Sequence, residues 1–478
     1  MQIDQMIDTA FAPVSKAVES VIFYAVPFMG HDIKLIVVWL AAVALFFTVY
    51  LGFINFRYFG HAVDIVRGKY DDTHGGGQIS SFQALMTSLS ATVGLGNIAG
   101  VAVAISVGGP GAAFWMMVMG FFGMASKFAE SALGMKYRHH DDPENPQSVS
   151  GGPMYYLRDG FARRGWGRTG KGLAVLFSIC VIGGAIGGGN MFQANQSFQQ
   201  IVNISGGTDG WWADKGWLFG VILSCLVGVV IIGGIKSIAR VASTIVPVMG
   251  LLYLIAGLVV IGLHYDNIPG ALETILKAAL VPEAGFGALL GALLMGVQRA
   301  AFSNEAGIGS AAIVHAAAQT KTHIGQGFVA MLGPFIDTVV ICMVTALVIV
   351  ITGVYESGVG MEGVALTSRA FEAGIPWFPY VLAVFVILFA YSTLIGWSYF
   401  GLKGVNYLFG EGRVVDLIYK ISFCLFVIVG AAAAMDNIVA FSDALLFSMA
   451  IPNVIGLYFL AGEVKKDLKE YLQANVKK

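Results

Sequence analysis

The chain has 478 residues, 57 % of them hydrophobic and only 12 % charged, with a formal net charge of −1 and a mean hydropathy of +0.76. Soluble domains carry about 25 % charged residues, so this composition excludes a soluble globular enzyme and marks an integral membrane protein. No basic cluster interleaved with aromatics is present, which removes nucleic acid as a partner. The cysteines Cys180, Cys225, Cys342 and Cys424 all lie in apolar runs, without metal spacing or a disulfide framework.

Residues 1–30 lack the basic start and small-residue cleavage site of a secretory signal. Residues 3–27 are mildly amphipathic and are expected to lie along the membrane surface. Apolar runs able to cross a bilayer, about 20 residues each, are predicted at 35–53, 82–107, 112–135, 173–196, 218–234, 241–263, 289–318, 324–351, 378–399, 415–434 and 437–461. The predicted architecture is an all-α integral membrane protein with eleven transmembrane helices, one N-terminal helix followed by five plus five. It forms a single membrane domain: 1–80 is the N-terminal segment with the extra helix, 81–264 and 286–462 are two repeats, and 463–478 is a tail.

Two of the runs are interrupted. In Ser90-Ala-Thr-Val-Gly-Leu-Gly-Asn-Ile-Ala-Gly100, Gly94 and Gly96 are poor helix formers, and Ser90, Thr92 and Asn97 are polar. Phe302-Ser-Asn-Glu-Ala-Gly-Ile-Gly-Ser310 repeats the pattern. Non-helical backbone at membrane depth is tolerated only where protein, ligand or ion satisfies it. A pair of interruptions in corresponding halves points to the binding site of a secondary transporter. Both stretches also match G-x-G-x-x-A, but neither has the strand–helix setting of a dinucleotide site, and no acidic residue lies at the required offset after Asn97.

In each group of five the second and third predicted spans are joined by a long loop, 136–172 and 353–376. With an odd number of spans per group these loops fall on opposite sides, as an inverted repeat requires. Cationic residues test the arrangement. Arg57, Arg67, Lys69, Arg158, Arg163, Arg164, Arg168, Lys171, Lys236, Arg240, Lys321, Lys403, Arg413, Lys465, Lys466, Lys469, Lys477 and Lys478 fall on one side by alternation. The other side holds only Lys16, Lys34, Lys215, Lys277 and Arg369. The positive-inside rule then predicts a cytoplasmic C-terminus and an external N-terminus, in a plasma membrane such as the bacterial inner membrane.

The strings Ala91-Thr-Val-Gly-Leu-Gly-Asn-Ile-Ala-Gly-Val101, Gly108-Gly-Pro-Gly-Ala-Ala-Phe-Trp115, Lys127-Phe-Ala-Glu130, Ser150-Gly-Gly-Pro-Met-Tyr-Tyr156, Phe302-Ser-Asn-Glu-Ala-Gly-Ile-Gly-Ser-Ala-Ala312 and Asp337-Thr338 resemble the alanine/glycine:cation symporter family, in order and across most of the chain. Leu95 departs from the pattern, where many members carry a small hydroxyl residue. The resemblance implies a leucine-transporter-type fold and uptake of alanine, glycine or similar small amino acids, driven by sodium or, in some members, by protons. It also implies two sodium sites. One uses the Thr92 carbonyl, Asn97 and Ser303 with Asp337 or Thr338. The other uses carbonyls of Ser90, Val93 and Ala390 with the hydroxyls of Ser392 and Thr393.

The chemistry of an amino-acid zwitterion suggests the remaining contacts. Its carboxylate suits the amides of Gly94, Leu95 and Gly96, at the start of a half-helix. Its ammonium suits carbonyls of Ala301, Phe302 and Ser303, where the first half of the other broken helix ends. Gln193, in a glycine-rich span, is a candidate substrate contact, and Trp397 a candidate apolar cap. Lys127 and Glu130, three apart on one helix face, are expected to pair, and Arg299 and Glu305, both on the second broken helix, to form a buried pair or a gate element. A channel is the rival reading, but no charged pore stripe appears. An intramembrane hydrolase lacks any Ser/His or His-Glu-x-x-His constellation.

Overall fold

In lipid a single chain segment can satisfy its own peptide groups only as a helix, and nearly every apolar run here is helical. The computed structural model describes residues 3–28, 31–70, 76–140, 149–281, 285–357 and 363–475. Lys477 and Lys478 of the cationic set therefore lie outside the described residues. Each of the eleven predicted intervals holds a helix. Among the described residues eight helices can cross a membrane by length and hydropathy, and the bent pair Ser81–Thr92 with Gly96–Gly108 makes nine. Leu35–Tyr50 and Gly216–Ile231, at 16 residues each, fall short of the usual ~20.

The helices separate into an inner and an outer set. Gly111–Lys136 and Met435–Asn475 are mostly buried by their neighbours, at 67 % and 72 % of their apolar windows, against 33 % for Gly234–Leu263 and 28 % for Arg413–Ala432. The outer helices therefore turn most of their apolar surface to the lipid position. Inside, Gly111–Lys136 packs on His323–Pro334 and on Phe286–Asn304. Ser81–Thr92 packs on Gly234–Leu263 and Phe378–Phe409. Small residues allow the close approaches: a side chain at Gly296 would strike the backbone of Ala112 at 2.6 Å.

The amphipathic N-terminal stretch is a helix, Ile3–Ile22, but it is anchored to protein. The Asp4 carboxylate accepts from the amides of Gly216 (2.8 Å) and Trp217 (3.2 Å). Asp8 accepts from the Ala434 amide and the Asn437 side chain, both at 2.9 Å. Negative groups at the starts of helices Gly216–Ile231 and Met435–Ser448 complement their dipoles. At the opposite end, the last helix reaches past the bundle and is pinned by Lys136, 2.5 Å from Glu463 and 2.6 Å from Asp467. Burial and the adjoining Glu463 push the Tyr137 hydroxyl up to about 12, so it remains a donor to that carboxylate.

Candidate transport site

Ser81–Thr92 opens on a capping box: the Ser80 hydroxyl accepts from the Gln83 amide and the Gln83 side chain from the Ser80 amide, both at 3.1 Å. The helix stops where Val93 leaves helical geometry at ψ 82°. It resumes as one wide turn, Gly96–Gly100, in which the Gly100 amide reaches back five residues to the Leu95 carbonyl at 3.0 Å. Val101–Gly108 follows, bent 53° from the first half.

Side chains satisfy the backbone this break exposes. Asn97 Oδ1 accepts from the Gly94 amide at 3.0 Å, and Gln193 Oε1 accepts from the Leu95 amide at 3.0 Å. Gln193 Nε2 donates to the Gly188 carbonyl at 2.9 Å, which fixes the amide's orientation. Two of the three amides expected to meet a substrate carboxylate are thus engaged by protein, and Gly96 faces the cavity. Gly94 has no room for a side chain, because a Cβ there would collide with the Thr393 hydroxyl.

The second break begins later than expected. The first half runs Phe286–Asn304, and the Ala301 carbonyl accepts from the Glu305 amide at 3.0 Å. Ala301, Phe302 and Ser303 are therefore helical. The chain leaves the helix at Glu305, in left-handed geometry at φ 58°. It returns at Ser310–His315 after Gly309, whose φ of 94° suits only glycine. Polar Ser303 and Asn304 are compatible with a last helical turn, which is why composition alone misplaces the end.

Four inward side chains hold this second break. Lys127 Nζ donates to the Asn304 carbonyl at 2.8 Å, at the negative end of the half-helix. Glu130 accepts from the Gly307 amide at 3.2 Å, and Asn453 donates to the Gly307 carbonyl at 2.9 Å and to Glu130 at 3.3 Å. The Tyr156 hydroxyl donates to Asn453 Oδ1, which gives the Ser150–Tyr156 motif a structural role. Lys127 and Glu130 do lie together, at 3.9 Å. The expected Arg299–Glu305 pair does not form. Arg299 pairs instead with Asp443, which also accepts from Gln298 at 2.8 Å. Glu305 turns the other way, accepting from Trp397 Nε1 at 3.1 Å and from the Ser310 hydroxyl.

A narrow cavity of about 10 Å³, room for about one water, lies between the two breaks, lined by Ala91, Thr92, Gly96, Gly188, Gln193, Phe302, Glu305, Trp397 and Leu446. Trp397 is 1 % exposed, with its ring packed on Gly189 and its Nε1 also donating to the Ala91 carbonyl at 3.2 Å. Ser303 lies just outside this lining, in an oxygen-rich cluster centred on Asp337. Its hydroxyl donates to Asp337 Oδ2 at 2.7 Å, the Thr338 hydroxyl donates to the same oxygen at 2.8 Å, and Asn97 Nδ2 donates to Oδ1 at 2.7 Å. A carboxylate flanked by hydroxyls is a suitable environment for a hard cation. Asn97 presents its nitrogen to this cluster, and the Thr92 carbonyl accepts from the Gly94 amide at 2.8 Å.

The second expected ion set is only partly joined. The Ser90 hydroxyl donates to the Ser392 carbonyl at 2.6 Å, and the Thr393 hydroxyl to the Ser90 carbonyl at 3.1 Å. The Ser392 hydroxyl donates to its own helix at Phe389, 2.9 Å away. Val93 and Ala390 are buried on the same two segments. Asn453 and Tyr156 were not singled out as site residues. Their only advance signal was one amide in an apolar run and one motif tyrosine.

Apolar helices, two of them broken around a buried polar cavity, define a membrane transporter of the leucine-transporter type. The crystal structure of MhsT in complex with L-phenylalanine shares this fold, with a TM-score of 0.53, 82 % of this chain and 99 % of that chain covered, and 15 % identity. The chain belongs to the sodium:alanine symporter family, whose model matches residues 15–478. It is similar to the sodium/alanine symporter AgcS of Methanococcus maripaludis, 42 % identical with 91 % of this chain and 93 % of that one covered. It is also similar to the amino-acid carrier protein AlsT of Bacillus subtilis, 35 % identical with 90 % and 88 % covered. The family is one of transporters, not of enzymes.

Proposed function

We propose that this protein is a sodium-coupled symporter that imports alanine, glycine or a similarly small neutral amino acid by alternating access. The observation that carries the reading is the cavity between the breaks. A half-helix begins at Gly96 in its lining, the Glu305 carboxylate belongs to the same lining, and Phe302, Trp397 and Leu446 close it down to an occluded state that alternating access must open. An electropositive helix start facing an anionic wall matches a zwitterion.

Sodium, carried as co-substrate, is assigned to Asp337 with Ser303, Thr338 and the Thr92 carbonyl, and a second ion to Ser90, Val93, Ala390, Ser392 and Thr393. Asn97 acts on the first ion by orienting Asp337. In this reading Leu35–Tyr50 and Gly216–Ile231 also cross the bilayer, giving eleven spans arranged as an extra helix and two inverted repeats, 81–264 and 286–462. The N-terminus lies outside and the C-terminus in the cytoplasm.

The test is radiolabelled alanine uptake into proteoliposomes under sodium, potassium or proton gradients, competed by each small amino acid in both enantiomers. Saturable uptake driven by a sodium gradient is expected. Uptake driven by protons alone would reassign the coupling ion, and non-saturating flux would identify a channel.

A further inference from the structure

We infer that Glu305 is the acceptor for the ammonium group of the transported amino acid, an assignment that rests on the zwitterion reading above and goes beyond it. Glu305 is 2 % exposed and lines the cavity opposite Gly96. A buried carboxylate either gains a counter-charge or takes up a proton, because leaving the charge uncompensated is expensive.

Among the described residues no lysine, arginine or histidine nitrogen makes an ion pair with Glu305. Lys127, the buried cation on the facing helix, attracts Glu305 from beyond ion-pair distance, but it is directed to the Asn304 carbonyl at 2.8 Å and lies 3.9 Å from Glu130. Arg299, on the same broken helix, is held by Asp443. The two donors Glu305 does have are neutral, the Trp397 indole and the Ser310 hydroxyl. Together they use two of about four acceptor directions on a carboxylate. A cation entering the cavity supplies the missing charge.

The backbone points the same way. Glu305 is one of only two non-glycine residues among those described with positive φ, the other being Phe53. Left-handed geometry at a non-glycine residue stores strain that surrounding structure must maintain, and such strain concentrates at ligand sites. Glycine would relieve the strain here but would remove the carboxylate. The Trp397 and Ser310 donors hold that carboxylate at the cavity wall from two sides.

The cation could be the substrate's ammonium or the co-transported sodium. The separate Asp337 cluster already offers sodium a carboxylate and two hydroxyls. Glu305 has an indole N–H and one hydroxyl instead, which is a poor cation shell but leaves acceptor directions free for a hydrogen-bonding ammonium once the cavity opens. With Gly96 opposite, the substrate lies across the cavity with its carboxylate toward the half-helix and its ammonium toward Glu305.

L-Alanine and L-lactate separate these roles, because they share the carboxylate and the methyl and differ in ammonium against hydroxyl. Wild type, E305Q and E305D would be reconstituted in proteoliposomes, and half-saturation for alanine, inhibition by lactate and half-saturation for sodium measured for each. In E305Q the preference for alanine over lactate is expected to fall at least about tenfold, with sodium half-saturation at high alanine unchanged. E305D, which keeps the charge, is expected to retain the preference with weaker affinity. Equal loss for alanine and lactate would make Glu305 a structural prop. A shifted sodium dependence with the preference intact would make it an ion ligand. Either result overturns the assignment. Should E305Q fail to fold, E305D decides: loss of its preference for alanine overturns the assignment, and retention supports it. Failure of wild type to take up alanine on a sodium gradient would instead overturn the function proposed above.

Discussion

Gly94 shows how tightly single atoms are set at this site. Its missing side chain is the space into which the Thr393 hydroxyl projects, and that hydroxyl is donating to the Ser90 carbonyl on the neighbouring segment. Gly94→Ala should therefore overpack the junction at a cost of about 1–3 kcal/mol and abolish sodium-driven uptake in a protein that still elutes as a folded species. Uptake at the wild-type rate would mean that the two segments are free to separate. Asp337 tests the ion cluster. Asp337→Asn keeps the shape and the contacts to Ser303 and Thr338 but removes the charge. Sodium half-saturation should rise by at least about tenfold, with a smaller change in alanine affinity at saturating sodium. Unchanged sodium dependence would remove Asp337 from the ion's shell. Gly94, Gly96 and Asn97 were legible in advance because helix breakers and polar groups stand out within an apolar run. That Asn97 and Gln193 would occupy the amides of Gly94 and Leu95 was not, since a side chain's distant partner leaves no trace in local spacing.

The second broken helix stands on a clamp that is a stability device as much as a site. Lys127 meets the carbonyl end of the first half, while Glu130 and Asn453 meet the peptide groups of Gly307. Lys127→Ala leaves Glu130 buried without a cation and should cost about 3–5 kcal/mol. Lys127→Met combined with Glu130→Gln should cost less than Lys127→Ala alone, because no charge is stranded. Asn453→Ala strands one carbonyl and weakens the Glu130 contact, with an expected cost of about 1–3 kcal/mol. Thermal unfolding in detergent orders these variants, and a double variant less stable than the single one would refute the charge argument. The helices were legible as elements because lipid leaves an apolar run little alternative. The end of the half-helix was not. Ser303 and Asn304 look like a break, yet their side chains bond to Asp337 and Thr338 and the backbone stays helical through both. The buried-pair reading of this element failed because two opposite charges on one broken helix do not show which way each points: the left-handed turn at Glu305 swings its side chain toward Trp397 and leaves Arg299 to Asp443.

At the scale of the molecule, the charges set a direction. A second cavity, lined in part by Glu19, Lys34, Gln298, Arg299, Asp436 and Asp443, opens near the N-terminal helix, with the Arg299–Asp443 pair in its lining. The Arg299 guanidinium lies 5.3 Å from the ring centre of Phe302, which lines the central cavity. In the proposed orientation this second cavity faces the outside, where sodium is abundant. The cation tally predicts that orientation from alternation alone, because basic residues are retained on the cytoplasmic side. It depends on the two 16-residue helices crossing the bilayer, since removing either one would reverse the sidedness of everything after it. Single cysteines at Lys16 and Lys466, placed in a cysteine-free background, test both points together. Lys16→Cys should react with a membrane-impermeant maleimide in intact cells, and Lys466→Cys, on an exposed position of the last helix, only after permeabilisation. Labelling of both from outside would mean an even number of crossings, and the inverted repeat could not then stand. The reverse pattern would turn this second cavity toward the cytoplasm and overturn the proposed topology, while an inward sodium gradient would still carry the substrate inward, because ion and substrate move together.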